Sequence, residues 1–155
     1  MRRLLFGAAG LATLALATGS LGVASGAPGR SGPRATSFTV IQRAPDVASI
    51  DLGDAGPSAG DVLVFRSALF DRSNTERLGE LNITCTQSFG VHHICRGIFS
   101  FSGEGRLSVD ALPQFPNATT GIVNGGSGKF RLARGDVDIQ PRADGTTRIT
   151  FRLSD

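Results

Sequence analysis

Two carboxylates near the end of the sequence have a spacing that could support acid–base chemistry. Asp136 and Asp138 are two positions apart in a run that reads as a strand, and such residues point to the same face of a strand. Paired carboxylates can divide the roles of proton donor and proton acceptor, although the same pair also serves simply to solvate the outside of a sheet. Arg134, in the same run, carries a planar guanidinium whose several donors could orient an anionic or carbonyl-bearing molecule.

Cysteine and histidine are concentrated in one short stretch. Cys85 and Cys95 are the only two cysteines, and they lie near the facing ends of two predicted strands. The even count favours a disulfide in an oxidising compartment over a reactive thiol, and the bridge would contribute about 2 to 3 kcal/mol by loop entropy. His92 and His93 lie between them, but no third ligand stands at a recognisable spacing. We therefore expect no metal and no cofactor.

The first residues predict export. Met1 is followed by two arginines, residues 4–17 are apolar and uncharged, and residues 22–24 are small. This pattern is typical of a secretory signal peptide, so we predict a signal over residues 1–24 and an extracellular protein that begins at Ser25. The apolar run is shorter than the ~20 residues that span a membrane, and we expect no membrane association after cleavage. A buried amino-terminal helix is the alternative.

Charge gives little indication of a partner. The whole chain has 16 basic and 13 acidic residues, and removal of residues 1–24 takes two arginines and no acid, so the mature chain is nearly neutral. It also lacks tyrosine and tryptophan and has no basic run, which argues against nucleic-acid binding. Residues 25–35 are rich in Gly, Pro and Ser and predict a flexible leader. One folded domain is expected over residues 36–155.

The remainder of the sequence alternates apolar and polar residues with the period of a strand. Eight such runs are separated by turn residues. They span residues 37–43, 61–70, 77–87, 93–102, 106–111, 119–123, 129–140 and 146–153. Eight closely connected strands predict an all-β fold, a single closed antiparallel barrel whose interior holds side chains or one small ligand. An eight-stranded sandwich is the alternative.

Residues 124–135 resemble a signature of one barrel superfamily. They read Asn-Gly-Gly-Ser-Gly-Lys-Phe-Arg-Leu-Ala-Arg-Gly, a glycine turn that opens into a strand. The stretch is similar to the GG(S/T)GxFxxAxG segment of plant dirigent proteins and allene oxide cyclases. Further blocks resemble allene oxide cyclases in the same order, and they cover residues 60–70, 76–79, 105–110 and 122–128. The resemblance implies an eight-stranded barrel with an apolar lumen, commonly trimeric, that handles small hydrophobic molecules.

The catalytic groups of these families are replaced in this chain. Plant cyclases use a glutamate on the first strand and an asparagine on the second, where the matching positions here are Thr39 and Ser67. Dirigent proteins carry paired aspartates in the second block, where this chain has Arg66 and Ser67. The resemblance therefore implies the scaffold without classical allene oxide cyclase activity, because function depends on the site and not on the fold.

The same resemblance indicates which residues line the lumen. Leu63, Phe65 and Ser67 share one face of their strand, and Leu81, Ile83 and Cys85 share one face of the next. If the matches at Ser67 and Cys85 place these faces inward, the lumen is mainly apolar. Ordinary core packing is the alternative for each of them. The candidate ligand residues are Thr39, Leu63, Phe65, Ser67, Leu81, Ile83 and Arg134.

Three functions are compatible with these observations. An enzyme or coupling guide would hold a reactive hydrophobic intermediate in a folded pose, which requires few catalytic side chains. A carrier would bind the same kind of molecule without turnover. A structural protein would fill its lumen with side chains and form an oligomer through an apolar outer patch. We predict a secreted barrel, assembled as a homotrimer or homodimer, that binds a small hydrophobic metabolite and guides its cyclisation or coupling.

Overall fold

A computed structural model describes residues 35–154, and every regular element in this part of the chain is a β-strand. The predicted signal over residues 1–24 lies outside the described residues, as does the leader up to residue 34. The strands are β1 (Ala35–Gln42), β2 (Asp46–Ile50), β3 (Val62–Phe70), β4 (Arg77–Gln87), β5 (His93–Phe101), β6 (Gly105–Ala111), β7 (Thr119–Gly128), β8 (Arg134–Pro141) and β9 (Thr147–Ser154). No helix in this part of the chain is long and apolar enough to cross a membrane.

Eight of the strands close into a barrel because β1 pairs on both sides. Along one side it pairs with β9, where Phe38 lies opposite Phe151, and on the other side its last two residues pair with the end of β3. The remaining neighbours are antiparallel pairs in sequence order from β3 to β9. Closure leaves none of these eight strands with a free edge. The predicted closed antiparallel barrel is therefore confirmed.

One additional strand, β2, escaped the sequence prediction. It pairs with the start of β3, from Asp46 opposite Arg66 to Ile50 opposite Val62, and continues the barrel wall past the end of β1. All five residues of β2 are exposed. A strand without a buried face lacks the inside–outside alternation by which the others were recognised.

The glycine-rich segment is part of a strand and not the predicted turn. Residues 125–128 form the end of β7 and pair with residues 105–108 of β6. The turn follows at residues 129–133, so the strand that was predicted over residues 129–140 begins only at Arg134.

Close packing of backbone explains why glycine occupies this strand. A Cβ placed on Gly126 would lie 2.5 Å from the carbonyl oxygen of Arg106 and 2.5 Å from that of Phe130. Just before it, Asn124 is an extra residue at a bulge, where the register of β6 and β7 shifts, and bulges bend a strand sharply. The segment thus allows β7 and the following turn to fold tightly against β6.

Side chains fill one end of the barrel and leave a cavity at the other. We call the filled end the floor and the open end the mouth. Turns at residues 71–76, 102–104 and 129–133 lie at the floor, together with the paired residues Ala35 and Ser154. The loops at residues 88–92, 112–118 and 142–146 surround the mouth. The buried core consists of Val40, Leu69, Leu81, Phe99, Phe101, Leu107, Val109, Val123, Phe130, Ala133, Val137, Ile149, Phe151 and Leu153.

Candidate ligand-binding site

Four phenylalanine rings close the floor. The ring of Phe38 stacks on that of Phe151 at 4.9 Å between centroids, and it meets the edge of Phe101 at 5.8 Å. Phe130, from the turn after β7, stacks on Phe38 at 6.1 Å and lies 5.2 Å from Phe101. Aromatic rings at these separations attract one another and bury large apolar areas. This end of the lumen is therefore filled with side chains.

The mouth holds a cavity of about 260 Å³. Its lining is apolar apart from a few hydroxyl and amide groups, and none of its residues is charged at neutral pH. They are Gln42, Pro45, Phe65, Ile83, Cys85, Cys95, Ala111, Pro113, Phe115, Pro116, Asn117, Thr119, Ile139, Pro141 and Thr147. Small-molecule sites are typically concave, mainly apolar and supplied with a few polar groups that fix orientation. The cavity can bind and orient a small apolar molecule, but its lining offers no carboxylate or cation for proton transfer.

A buried polar pair lies at the edge of this cavity. The side-chain amide of Gln42 donates a hydrogen bond of 2.8 Å to the hydroxyl oxygen of Ser67. Both residues are buried. Their side chains face inward because Gln42 lies two positions from the core residue Val40, and Ser67 lies two positions from the core residue Leu69. Each partner satisfies the other, so the amide of Gln42 is held in one orientation where β1 meets β3.

The predicted disulfide between Cys85 and Cys95 is present. The two residues lie directly opposite each other on β4 and β5, both are buried, and both line the cavity. The bridge therefore ties two strands together at the mouth and forms part of the cavity wall.

The loop after β6 covers one side of the mouth with an aromatic ring. The carbonyl oxygen of Pro113 accepts a hydrogen bond of 3.1 Å from the backbone amide of His93, which anchors the loop to β5. Two residues later, the ring of Phe115 packs between those of Phe65, at 5.8 Å, and His93, at 5.1 Å. Phe115 thus forms a wall of the cavity while remaining 47% exposed to solvent.

A second, larger cavity of about 630 Å³ lies beside the first at the mouth. His93 lines it together with Leu63, Gln87 and Asp61. The carboxylate of Asp61 accepts hydrogen bonds from the backbone amides of Leu52 and Ser58, and these hold the pKa of Asp61 below its ordinary value. That carboxylate therefore stays ionised and fastens the loop that precedes β3.

His93 differs from its neighbours because one of its ring nitrogens has no partner. Its Nδ1 atom is buried and has no hydrogen-bond partner within residues 35–154, whereas nearly all buried polar atoms in proteins are paired. Within residues 35–154, no three His, Cys, Asp or Glu side chains are grouped so as to hold a metal ion.

The residues that the sequence proposed for the lumen fall into several places. Phe65 and Ile83 line the smaller cavity and Leu63 the larger one. Ser67 bonds Gln42 at the cavity edge, and Leu81 is packed in the core beneath.

Thr39 and Arg134 lie outside the lumen. Thr39 alternates with the inward-facing Phe38 and Val40, and its hydroxyl oxygen is 3.0 Å from that of Thr150 on the outer face. Arg134 begins β8 near the floor, where its guanidinium donates to the carbonyl oxygen of Ala133 at 2.8 Å. The buried Val137 sets the inward face of β8, so Arg134 points outward and reaches neither cavity.

The paired carboxylates also lie on the outer face of β8. Asp138 accepts a hydrogen bond from the guanidinium of Arg152 on β9, which lowers the pKa of the carboxyl below its ordinary value. Asp136 lies opposite Arg152 in the register. The two carboxylates lie on the outer surface and solvate the barrel, as the sequence-based alternative held, and neither lines a cavity at the mouth.

Sequence reasoning did not single out two residues of the mouth as functional. Phe38, Val40 and Gln42 are each two positions apart and share one face of β1. The alternation pattern therefore could have predicted that Gln42 faces the lumen. Phe115 lies between Gln114 and Pro116 in the loop at residues 112–118, and an aromatic residue in a connecting loop indicates a contact beyond the loop. Neither pattern shows which side chain it would meet.

Comparison with solved structures places this fold among known barrels. No family model matches the sequence, and no curated protein does. Pyocyanin demethylase superposes with a TM-score of 0.69 at 19% identity, covering 76% of this chain and 99% of that chain. The pterocarpan synthase dirigent protein GePTS1 superposes with a TM-score of 0.60 at 15% identity, covering 79% of this chain and 84% of that chain. The exo-specific intermolecular Diels-Alderase AbnU superposes with a TM-score of 0.60 at 14% identity, covering 79% of this chain and 99% of that chain. The chain therefore has the fold of dirigent-like and cyclase-like barrels, as its sequence blocks predicted.

Proposed function

We propose that this protein is a secreted barrel that binds a small hydrophobic molecule at its mouth and guides the cyclisation or coupling of that molecule. The observation that carries the proposal is the neutral, mainly apolar cavity of about 260 Å³ above a floor of packed phenylalanines. A cavity closed below admits a guest from one side only and surrounds it with rigid strands.

Such a site acts by confinement. Holding two reacting groups of one molecule close together and correctly oriented removes much of the entropic barrier to bond formation. The apolar lining also excludes water from a reactive intermediate. The Gln42–Ser67 pair and the hydroxyls of Thr119 and Thr147 supply hydrogen bonds that can fix the orientation of the guest.

Two of the structural relatives support this proposal by their own activities. One is a dirigent protein described as a pterocarpan synthase, and another is described as an intermolecular Diels-Alderase. Both descriptions concern formation of a defined product, and both proteins share this barrel. Since a shared fold can carry unrelated sites, the proposal depends on the cavity of this chain.

A non-catalytic carrier is the second candidate, and the neutral lining favours it. Without a charged group in the cavity, the protein binds and releases its guest unchanged unless confinement alone promotes the reaction.

Native mass spectrometry can distinguish these functions. The mature protein is incubated with an extract of its producing organism, and any adduct is identified by mass. A bound molecule that is released as an isomer or a coupled product supports guiding, and one that is released unchanged supports a carrier. A protein that binds nothing contradicts both and favours a structural role.

Two adjacent substitutions on β4 provide matched variants for this experiment. Ile83 lines the cavity, whereas Thr84 points outward and is exposed. Ile83→Trp fills the cavity and should abolish the adduct, and Thr84→Trp adds the same ring to the outer surface and should preserve it. An adduct that survives Ile83→Trp is bound elsewhere and overturns the proposed site.

Export from the cell belongs to the same proposal. The predicted signal over residues 1–24 is supported by the disulfide, because such bridges form in oxidising compartments. Amino-terminal sequencing of protein recovered from the culture medium should begin at Ser25. Retention of residue 1 in the recovered protein would contradict cleavage.

Assembly into a homotrimer or homodimer is also part of the proposal. Ile50, Val62 and Ile94 lie along one row of paired strands, in which Thr86 stands between Val62 and Ile94. Ile50 and Ile94 are more than half exposed. Exposed apolar rows are typical of protein interfaces. Sedimentation of the mature protein measures the number of chains directly.

A further inference from the structure

The two cavities at the mouth are lined by neighbouring inward-facing positions of the same three strands. On each strand, the two contributing residues are two positions apart and share the inward face. The pairs, with the smaller cavity given first, are Phe65 and Leu63 on β3, Cys85 and Gln87 on β4, and Cys95 and His93 on β5. The walls of the two cavities are therefore continuous on this side of the barrel.

The ring of Phe115 contacts one residue of each cavity. It lies 5.8 Å from the ring of Phe65, which lines the smaller cavity, and 5.1 Å from that of His93, which lines the larger one. Because Phe115 is already 47% exposed, moving its ring outward exposes little further apolar surface. A molecule that takes the place of this ring touches Phe65 and His93 at once.

The unpaired Nδ1 of His93 gives this place a chemical preference. A buried polar atom without a partner is unfavourable, so a ligand that supplies the missing hydrogen bond gains affinity. A neutral imidazole nitrogen either donates or accepts, depending on its tautomer, and a hydroxyl group can meet either requirement. Below it, the smaller cavity is neutral and mainly apolar.

We propose that the two cavities form a single binding site that is divided by Phe115, and that its ligand is a hydrophobic small molecule carrying one hydroxyl group. The apolar body of the ligand occupies the smaller cavity and displaces the Phe115 ring, and its hydroxyl bonds Nδ1 of His93. This inference rests on the proposed function, since it requires a guest in the lumen, and it names the class of that guest.

Two fluorescent probes that differ in one group test the proposal. Naphthalene and 2-naphthol share the same apolar body, and only the second carries a hydroxyl. The chain contains neither tryptophan nor tyrosine, so the fluorescence of the probes can be followed without interference from the protein. The oxidised, full-length mature protein should bind 2-naphthol about tenfold more tightly than naphthalene, the gain expected from one hydrogen bond to a buried partner.

Variants of adjacent histidines isolate the role of Nδ1. His93→Phe keeps a ring beside Phe115 but removes the nitrogen, and it should weaken 2-naphthol binding about tenfold while leaving naphthalene binding unchanged. His92→Phe, at the exposed neighbouring position, should change neither. His93→Asn retains a hydrogen-bonding group near the backbone and should keep part of the preference for 2-naphthol. Because His93→Phe removes an unsatisfied buried atom, its urea midpoint should not fall below that of the native protein.

Phe115→Ala tests the partition. Since the ring no longer has to move, both probes should associate several-fold faster in stopped-flow measurements. Unchanged association rates would overturn the role of Phe115. Equal affinity of the two probes, or an unaltered 2-naphthol affinity in His93→Phe, would overturn the role of His93. If the native protein binds neither probe, the proposed function itself fails, and this outcome is distinct from the others.

Discussion

Gln42 and Ser67 are two buried polar residues of the lumen that satisfy each other. The distance from the amide nitrogen to the hydroxyl oxygen is 2.8 Å. In an apolar wall such a pair stabilises little by its presence, but removal of one partner leaves the other unpaired.

Single and double substitutions at this pair should therefore have different effects. Ser67→Ala removes the acceptor of the Gln42 amide and should lower the free energy of unfolding by about 1 to 3 kcal/mol. Adding Gln42→Leu removes the amide that was left without a partner, and it should recover most of the lost free energy of unfolding. Urea denaturation of the single variant, the double variant and the native protein measures the coupling. A double variant as unstable as Ser67→Ala alone would contradict the pairing.

For some of the proposed lumen residues the sequence correctly predicted the direction of the side chain, and for others it did not; the difference has a physical reason. Ser67 and Phe65 follow strict alternation within one long strand, so their shared face could be predicted. Thr39 and Arg134 were proposed as lumen residues from matches to family blocks. Such a match predicts where a residue lies on the scaffold, but it does not determine whether its side chain points inward or outward. The partner of Ser67 depends on the closure of β1 against β3, a contact between distant parts of the chain that no local pattern encodes.

At the scale of elements, the glycine-rich end of β7 shows how two strands and a turn are joined. Gly126 has no room for a side chain, whereas the nearest atom to a Cβ on Gly125 is the Nη1 of Arg134 at 3.7 Å. Adjacent glycines of the same motif thus have different requirements.

Alanine substitutions at Gly125 and Gly126 should have different effects on stability. Gly126→Ala forces a Cβ against two carbonyl oxygens and should lower the free energy of unfolding by about 1 to 3 kcal/mol, as overpacking does. Gly125→Ala meets only ordinary contacts at an ordinary φ and should be tolerated. Thermal denaturation of the two variants decides the matter, and equal destabilisation would show that close approach at Gly126 is not the cause.

The turn between β3 and β4 depends on one carboxylate. Asp71 accepts hydrogen bonds from the hydroxyl of Ser73 and from the backbone amides of Glu76 and Thr75. These bonds, with that of Ser73 contributing most, hold the pKa of Asp71 well below its ordinary value of 3.8. Folding thus favours the ionised form, so this contribution to stability is complete above about pH 4 and is lost as the pH falls further.

Replacement of this carboxylate should flatten the acid side of the stability profile. Asp71→Asn cannot gain or lose that charge, and its melting temperature should fall less than that of the native protein between about pH 5 and pH 2. Asp54→Asn, in the exposed loop before β3, serves as the control and should follow the native profile. Parallel profiles for Asp71→Asn and the native protein would contradict the role assigned to the turn.

Elements with an inward and an outward face were predictable, and elements defined by their neighbours were not. The strands of the barrel proper alternate because one face is buried. β2 is held by pairing to β3 alone, and the end of β7 is a strand because of its backbone contacts with β6. Glycine in sequence indicates either a turn or a close approach, and only the three-dimensional register distinguishes them.

At the scale of the whole molecule, the barrel has two unlike ends. The floor is a packed aromatic core that contributes stability, and the mouth carries the cavities, the loops and the disulfide. The all-β architecture and the eight strands of the barrel were predictable from eight alternating runs, whereas the pattern alone left a sandwich as the alternative to closure. The division into a filled half and an open half was not predictable, because it depends on how side chains from all strands share the same volume.

Reduction of the disulfide should loosen the mouth without unfolding the barrel. The bridge closes a short loop, with a sequence separation of 10, and its loss should lower the free energy of unfolding by about 2 to 3 kcal/mol. The double variant Cys85→Ala with Cys95→Ala should show a similar loss and no further response to a reductant. Urea denaturation with and without reductant measures the difference, while circular dichroism should retain its β spectrum. A native midpoint that is insensitive to the reductant would contradict a stabilising bridge.

The pairing of Ala35 with Ser154 at the floor has a practical consequence. Since β9 runs from the mouth toward the floor, a tether fused to the carboxyl terminus leaves the barrel on the side opposite its opening. Protein immobilised through such a tether would be attached at its floor, so every mouth would face the solution in the same orientation. Ligand capture on such a surface should equal capture in solution, whereas attachment through the loop at residues 112–118 should block it.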